Sequence, residues 1–167
     1  MSESEAVLSF WFGTAERAID ISQRQEALWW KGAADTDAEI GRRFGELRQR
    51  AIAGELDDWL GSERGRLAAI ILVDQFSRNL HRGHPEAFAQ DELARRWCLD
   101  AISQQADQAL RPIERVFVYL PLEHSESRED QAQSVRLFER LALEVPAEEQ
   151  TLFEFYASFA RAHRDII

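Results

Sequence analysis

The sequence predicts an all-α fold of stacked antiparallel helical hairpins, arranged in a tetratricopeptide-like way. Three observations carry this. Every strong apolar pattern recurs with the 3.6-residue helical period, and no segment alternates with period two between hairpin turns. Helix-opening and helix-closing residues recur at helix-length intervals, so neighbouring helices pack antiparallel through short loops. Pro112 and Pro146 stand 34 residues apart, the tetratricopeptide period, although Gly and Ala do not recur with them.

The elements follow in order. Val7, Phe10 and Trp11 start a short helix that Gly13 ends. Ser22 with Gln25 reads as a capping box before Leu28, Trp29 and Trp30, and Thr36 with Glu39 as a second. The second box opens a helix with the stripe Ile40, Phe44, Leu47 and Ala51, closed by Gly54. Leu67, Ile70 and Ile71 form the next stripe, which reaches Asp74, Gln75 and Phe76. The segment from Asn79 to Pro85 reads as a loop, and residues 87–105 as a helix. Pro112 suits the first turn of a helix through Ile113, Val116, Phe117 and Leu120, and Pro121 predicts its end at Leu120. Ser127 with Asp130 caps a helix through Val135, Phe138 and Leu141. Pro146 starts the last helix, with Leu152, Tyr156, Phe159 and His163 on one side.

At 167 residues the chain fits one domain, residues 1–167, that buries roughly 70% of its unfolded surface. Thirty acidic residues against 20 basic give a net charge of −10. The basic residues are scattered beside acids, whereas a nucleic-acid binder shows a clustered basic face. Nucleic acid and membrane are therefore not expected partners. No apolar run approaches the ~20 residues needed to span a bilayer, and the acidic start is unlike a signal peptide. The cytoplasm is the expected location. The single Cys98 rules out an internal disulfide and a thiolate metal cluster.

Two segments stand out chemically. Asp74 projects from a buried stripe, where a carboxylate is costly unless paired. Arg78, one turn on, is its natural partner, so the segment reads either as a polar pocket or as an Asp–Arg clamp on the following loop. The second segment, Glu123-His124-Ser125-Glu126 with Asp130, places an imidazole among carboxylates, as a general base or ligand would have it. Helix capping by the acids accounts for it equally well. Its spacing matches neither the Glu-x-x-His of di-iron bundles nor the His-Glu-x-x-His of zinc proteases. No metal or cofactor is expected. His81 and His84 read as loop residues, His163 as an edge-of-core histidine and Cys98 as core. The tryptophans read as mostly core, with one or two available to a groove.

With those segments placed, the chain resembles a bacterial family, the domain of unknown function 924 family. The resemblance is carried by Val7 to Gly13, Asp74 to Asn79, Ala87 to Asp91, Tyr119 to Glu126 and His163 to Ile167. It implies a tetratricopeptide-like helical fold and supplies no reaction. Two departures stand out: Ser77 occupies a position where the family usually has Pro, and the family pattern usually continues beyond Ile167. A pocket completed by such a tail would be open or absent here. The resemblance draws Asp74, Arg78, Asn79, Glu123, His124, Glu126 and the terminal His163 towards one polar site. The expected function is a binding module for a small molecule, peptide or protein. The alternative is a hydrolytic small-molecule enzyme with His124 as general base.

Overall fold

The computed structural model describes residues 1–167 and contains eight helices and no strand. Helix α1 spans Glu3–Phe12, and Gly13 closes it at φ +71°, a conformation glycine adopts without strain. Helix α2 covers Ala18–Glu26 and widens into a π-helical turn, Ala27–Lys31. Helix α3 spans Ala34–Ile52. Helix α4 is composite: Glu63–Ile70, a π-helical turn Ile71–Gln75, then Phe76–Leu80. Helices α5 (Asp91–Ser103), α6 (Pro112–Glu123), α7 (Arg128–Glu144) and α8 (Gln150–Ile166) complete the chain.

Several expected boundaries move. Helix α2 begins at Ala18, so Ser22 lies inside it and bonds the Ile19 carbonyl rather than capping. Thr36 likewise falls inside α3, which starts at Ala34. The predicted loop from Asn79 shortens to four residues, because α4 runs to Leu80 and a 3-10 turn covers Pro85–Phe88. The fourth shift matters most. Pro121 does not end α6 at Leu120; the helix continues to Glu123. A proline removes one backbone donor and strains the preceding residue. Here every residue from Val116 to Glu123 is buried, so packing outweighs that cost near the helix end. The Ser127 cap is as expected, its Oγ accepting from the Asp130 N–H at 3.3 Å.

One aromatic core holds the helices. Trp11 meets Phe117 edge-on at 5.4 Å, Trp29 meets Phe117 at 4.7 Å, and Phe44 stacks on Phe76 at 5.3 Å. Each such burial stabilises by roughly 1.5–3 kcal/mol. The exposed carbonyls at the end of α1 are satisfied from α2: Gln25 Nε2 and Trp29 Nε1 both donate to the Trp11 carbonyl at 2.9 Å. That anchors the π-turn carrying Trp29 and Trp30. Gly65 lets α4 close onto the 3-10 turn Asp57–Gly61; an added Cβ would lie 2.2 Å from the Trp59 carbonyl. The last three helices run antiparallel in sequence. Arg115 near the start of α6 pairs with Glu144 at the end of α7, and Arg161 of α8 pairs back to Glu139 of α7. No helix is long and apolar enough to cross a membrane.

Candidate functional site

Asp74 lies in the π-turn of α4 and is fully buried. Such a turn widens the helix by one residue, and π-turns concentrate at functional sites. An unpaired carboxylate there would cost several kcal/mol. It is instead the hub of a polar cluster. Arg78 Nη1 donates to Asp74 Oδ1 at 3.0 Å and to its carbonyl at 3.0 Å. Gln75 Nε2 donates to Oδ2 at 2.9 Å. Nδ1 of His124, from the far end of α6, lies 2.9 Å from Oδ1. Arg78 then reaches past Asp74 to form a two-pronged pair with Asp91, at 2.9 and 3.1 Å. The face of Phe88 lies 5.3 Å from the guanidinium.

Asn79 donates to Asp37 Oδ1 at 3.0 Å, and Arg82 holds the same carboxylate through two bonds. This second cluster ties the end of α4 to the start of α3. Glu123, two residues beyond Pro121, is 6% exposed, yet its carboxylate accepts no hydrogen bond. The nearest cationic atom is His163 Nε2, 3.5 Å from Oε1.

Of these groups, Gln75, Arg78, Asn79, Arg82, Glu123, His124 and His163 line one cleft of about 540 Å³. Its floor is Gln75, Arg78, Asn79, Glu123 and His124, and its walls are Trp29, Trp30, Phe155, Tyr156, Phe159 and His163. The size lies within the range of small-molecule sites. A larger surface hollow along Glu139, Leu143 and Glu154 has few apolar walls and none of this chemistry.

The electrostatics divide the two buried acids. Burial raises the Asp74 carboxyl, but the charge and hydrogen bond of His124, then Arg78 and Gln75, outweigh it and hold the pKa below the usual range. Burial raises Glu123 to about 7; the charge of His124 opposes this and that of Asp74 adds to it. The His163 pKa is lowered by burial and by the charge of His124. Cys98 is buried in the core, which pushes its thiol well above the ordinary value and leaves it inert.

The predicted residues separate accordingly. Arg78, Asn79, Glu123, His124 and His163 line the cleft, and Asp74, outside the lining, is bonded to Arg78 and His124. Glu126 does not. The chain leaves α6 after Glu123, Ser125 Oγ donates to Asp130 Oδ2 at 2.6 Å, and Glu126 is carried out to solvent ahead of the α7 cap. The second carboxylate on Arg78 is therefore Asp91, not a member of the Glu123 segment. Sequence reasoning missed Gln75, Asp91, Trp30, Phe155 and Arg82 as site residues. Gln75 and Asp91 stood in the motifs quoted above. Trp30 escaped because a π-turn breaks the 3.6-residue period by which the helix faces were assigned. No group of three or more His, Cys, Asp or Glu is arranged to hold a metal ion.

No curated protein matches the chain. A solved structure, a protein of unknown function from Agrobacterium tumefaciens, superposes with a TM-score of 0.79 at 31% identity. The match covers 98% of this chain and 81% of that one. The model of a family of bacterial proteins of unknown function, DUF924, matches residues 7–167, and with almost the whole chain matched, the protein belongs to that family.

Proposed function

We propose that the protein binds a small molecule in the cleft between α2, α4, α6 and α8. One observation supports this above the others: polar groups from α4 and the end of α6 meet on the floor of a single aromatic-walled cleft of about 540 Å³, with His163 of α8 on its wall. A purely structural clamp needs the Asp74–Arg78–Asp91 pairing but no open volume above it. It also needs no half-exposed Trp30 and Phe159, which are 47% and 48% exposed on the cleft rim. Tetratricopeptide-like stacking of the hairpins belongs to this reading, since stacked hairpins present concave surfaces.

Ligand-observed magnetic resonance against a fragment library tests it. The expected result is a set of mutually competitive hits lost in Trp30→Ala. A hit at 100 times its Kd also stabilises the fold by about 2.7 kcal/mol. An absence of hits, or hits indifferent to Trp30, overturns the reading.

A hydrolytic reading is favoured by one specific contact. With the proton on Nδ1, His124 donates to Asp74 and keeps Nε2 as a base, its tautomer set as in an Asp–His pair. No serine or cysteine lines the cleft, so the nucleophile would be water. Turnover of nitrophenyl esters by the protein, abolished in His124→Ala, would support this reading; equal turnover by both proteins would sink it.

A further inference from the structure

We propose that the ligand of this cleft is an organic cation, an alkyl- or arylammonium whose head sits at the Glu123 carboxylate among the faces of Trp30, Phe155, Tyr156 and Phe159. This rests on the binding reading above and adds the charge and shape of the ligand.

The argument starts from which charges are already matched. Arg78 is spent on Asp74 and Asp91, and Arg82 on Asp37. Neither arginine offers an unbalanced positive charge to an anion. Asp74 is matched by Arg78, Gln75 and His124. Glu26 at the rim has only Lys31 at 4.0 Å, both well exposed. Glu123 is left. It is 6% exposed, accepts no hydrogen bond, and has His163 as its nearest cationic group at 3.5 Å. Since burial and the charge of His124 lower the His163 pKa, that ring is a poor counter-charge at neutral pH. The cleft thus carries one buried acid without a committed cation.

The walls fit the same ligand. Trp30 and Tyr156 lie 6.4 Å apart, Phe155 and Tyr156 6.2 Å, and Phe155 meets Phe159 edge-on at 4.9 Å. Aromatic faces attract cations through the ring quadrupole, and aromatic cages beside carboxylates are how ammonium groups are held. The buried Tyr156 hydroxyl has no hydrogen-bond partner in the protein, so the wall also has an unfilled polar position. An anion would meet Glu123 and gain no free arginine. A neutral apolar ligand would leave the carboxyl unsatisfied.

A cation supplies the charge that Glu123 lacks, so binding favours its ionised form. The carboxyl at about 7 then makes binding tighten as pH rises through neutrality. The groups facing it are Asp74 and Arg78 from α4, His124 at the end of α6, His163 from α8, and Glu26 and Arg82 at the rim. Loss of the His163 charge acts in the same direction, so the Gln variant is needed to isolate the carboxyl.

Benzyltrimethylammonium, benzyl alcohol and benzoate, titrated calorimetrically into the full chain at pH 6 and 8, separate the outcomes. The cation is expected to bind at least tenfold more tightly than benzoate, and more tightly at pH 8 than at pH 6. Glu123→Gln should weaken the cation by about tenfold, flatten much of its pH dependence and leave benzyl alcohol within twofold. Circular dichroism of the isosteric variant shows whether it is folded, and Trp30→Phe provides a second, surface variant that should also weaken the cation. Benzoate binding as tightly as the cation, or a Gln variant with unchanged cation affinity, overturns the inference while leaving the cleft a binding site. No binding of any of the three probes overturns the inference together with the reading it rests on.

Discussion

Asp74 and Glu123 are both buried acids, Glu123 lining the cleft and Asp74 bonded to the Arg78 and His124 that line it, and they are shifted in opposite directions. Asp74 is the more deeply buried, yet its carboxyl stays below the usual range because three side chains from two helices converge on it. Glu123 keeps slightly more exposure, yet burial raises it to about 7, since no committed side chain offsets that cost. Partners, rather than depth, decide the charge state. A fold has no stabilising use for an acid left unpaired, so the lone acid points to a ligand and the paired one to architecture. Acids pushed apart in this way by their surroundings also mark division of labour in acid–base sites.

The comparison breaks first at Asp74. Asp74→Ala removes the hub that Arg78, Gln75 and His124 share, leaving Arg78 with Asp91 alone. Losing one partner of a buried ion pair costs about 3–5 kcal/mol. Urea denaturation at pH 7 should show a loss of that size. The pH dependence has a definite sign. A depressed carboxyl contributes stability above its unfolded pKa, and that contribution is lost as pH falls through the lower folded value. The wild type should therefore weaken in acid more steeply than Asp74→Ala.

Glu123 reverses the sign. Its carboxyl moves from 4.5 to about 7 on folding, so between those values the folded state holds a proton that the unfolded state has lost. Stability then falls as pH rises through this window and levels off above it. Glu123→Gln removes the penalty. The variant should be more stable than the wild type at pH 8 by up to about 3 kcal/mol, with the difference vanishing near pH 4. A variant less stable at pH 8 would mean that Glu123 has a stabilising partner after all.

His124 stands between the two acids and should show an intermediate effect. His124→Ala takes one of three partners from Asp74 but leaves Arg78 and Gln75 in place. The expected loss is about 1–3 kcal/mol, by the same denaturation measurement. A loss as large as that of Asp74→Ala would make the imidazole, not the guanidinium, the main support of the hub.

How far the sequence foretold this follows from which periods it obeys. Asp74 and Arg78 sit one turn apart on an apolar stripe, so their pairing is local and could be read directly. The helix stripes at Phe44, Phe117 and Phe138 likewise belong to the buried core. The π-turns could not be read: each shifts the faces beyond it, and they carry Asp74, Gln75, Trp29 and Trp30. The approach of His124 to Asp74 joins residues 50 positions apart, a relation no local pattern encodes. Pro121 misled in the other direction, because a rule about one residue's backbone lost to the burial of eight. The motif order did place the polar segments together, but it could not tell which members of the Glu123 segment turn inwards.

Glu126 gives the smallest and sharpest contrast. It lies three residues from Glu123, in the same motif, with the same chemistry. The helix end sends one carboxylate into the cleft and the Ser125 turn sends the other to solvent. Its remaining role is to sit just ahead of the Ser127 cap, where an acid interacts favourably with the positive end of α7, by roughly 0.3–1 kcal/mol at low salt. Glu126→Gln should therefore change stability by no more than about 0.5 kcal/mol in moderate salt. The difference from wild type should shrink further as salt rises, because an exposed charge is screened. It should leave ligand binding untouched at both pH 6 and pH 8, where Glu123→Gln changes it. If both variants weakened binding alike, the effect would come from net negative charge near the cleft, and the distinction between a committed and an uncommitted carboxylate would lose its support.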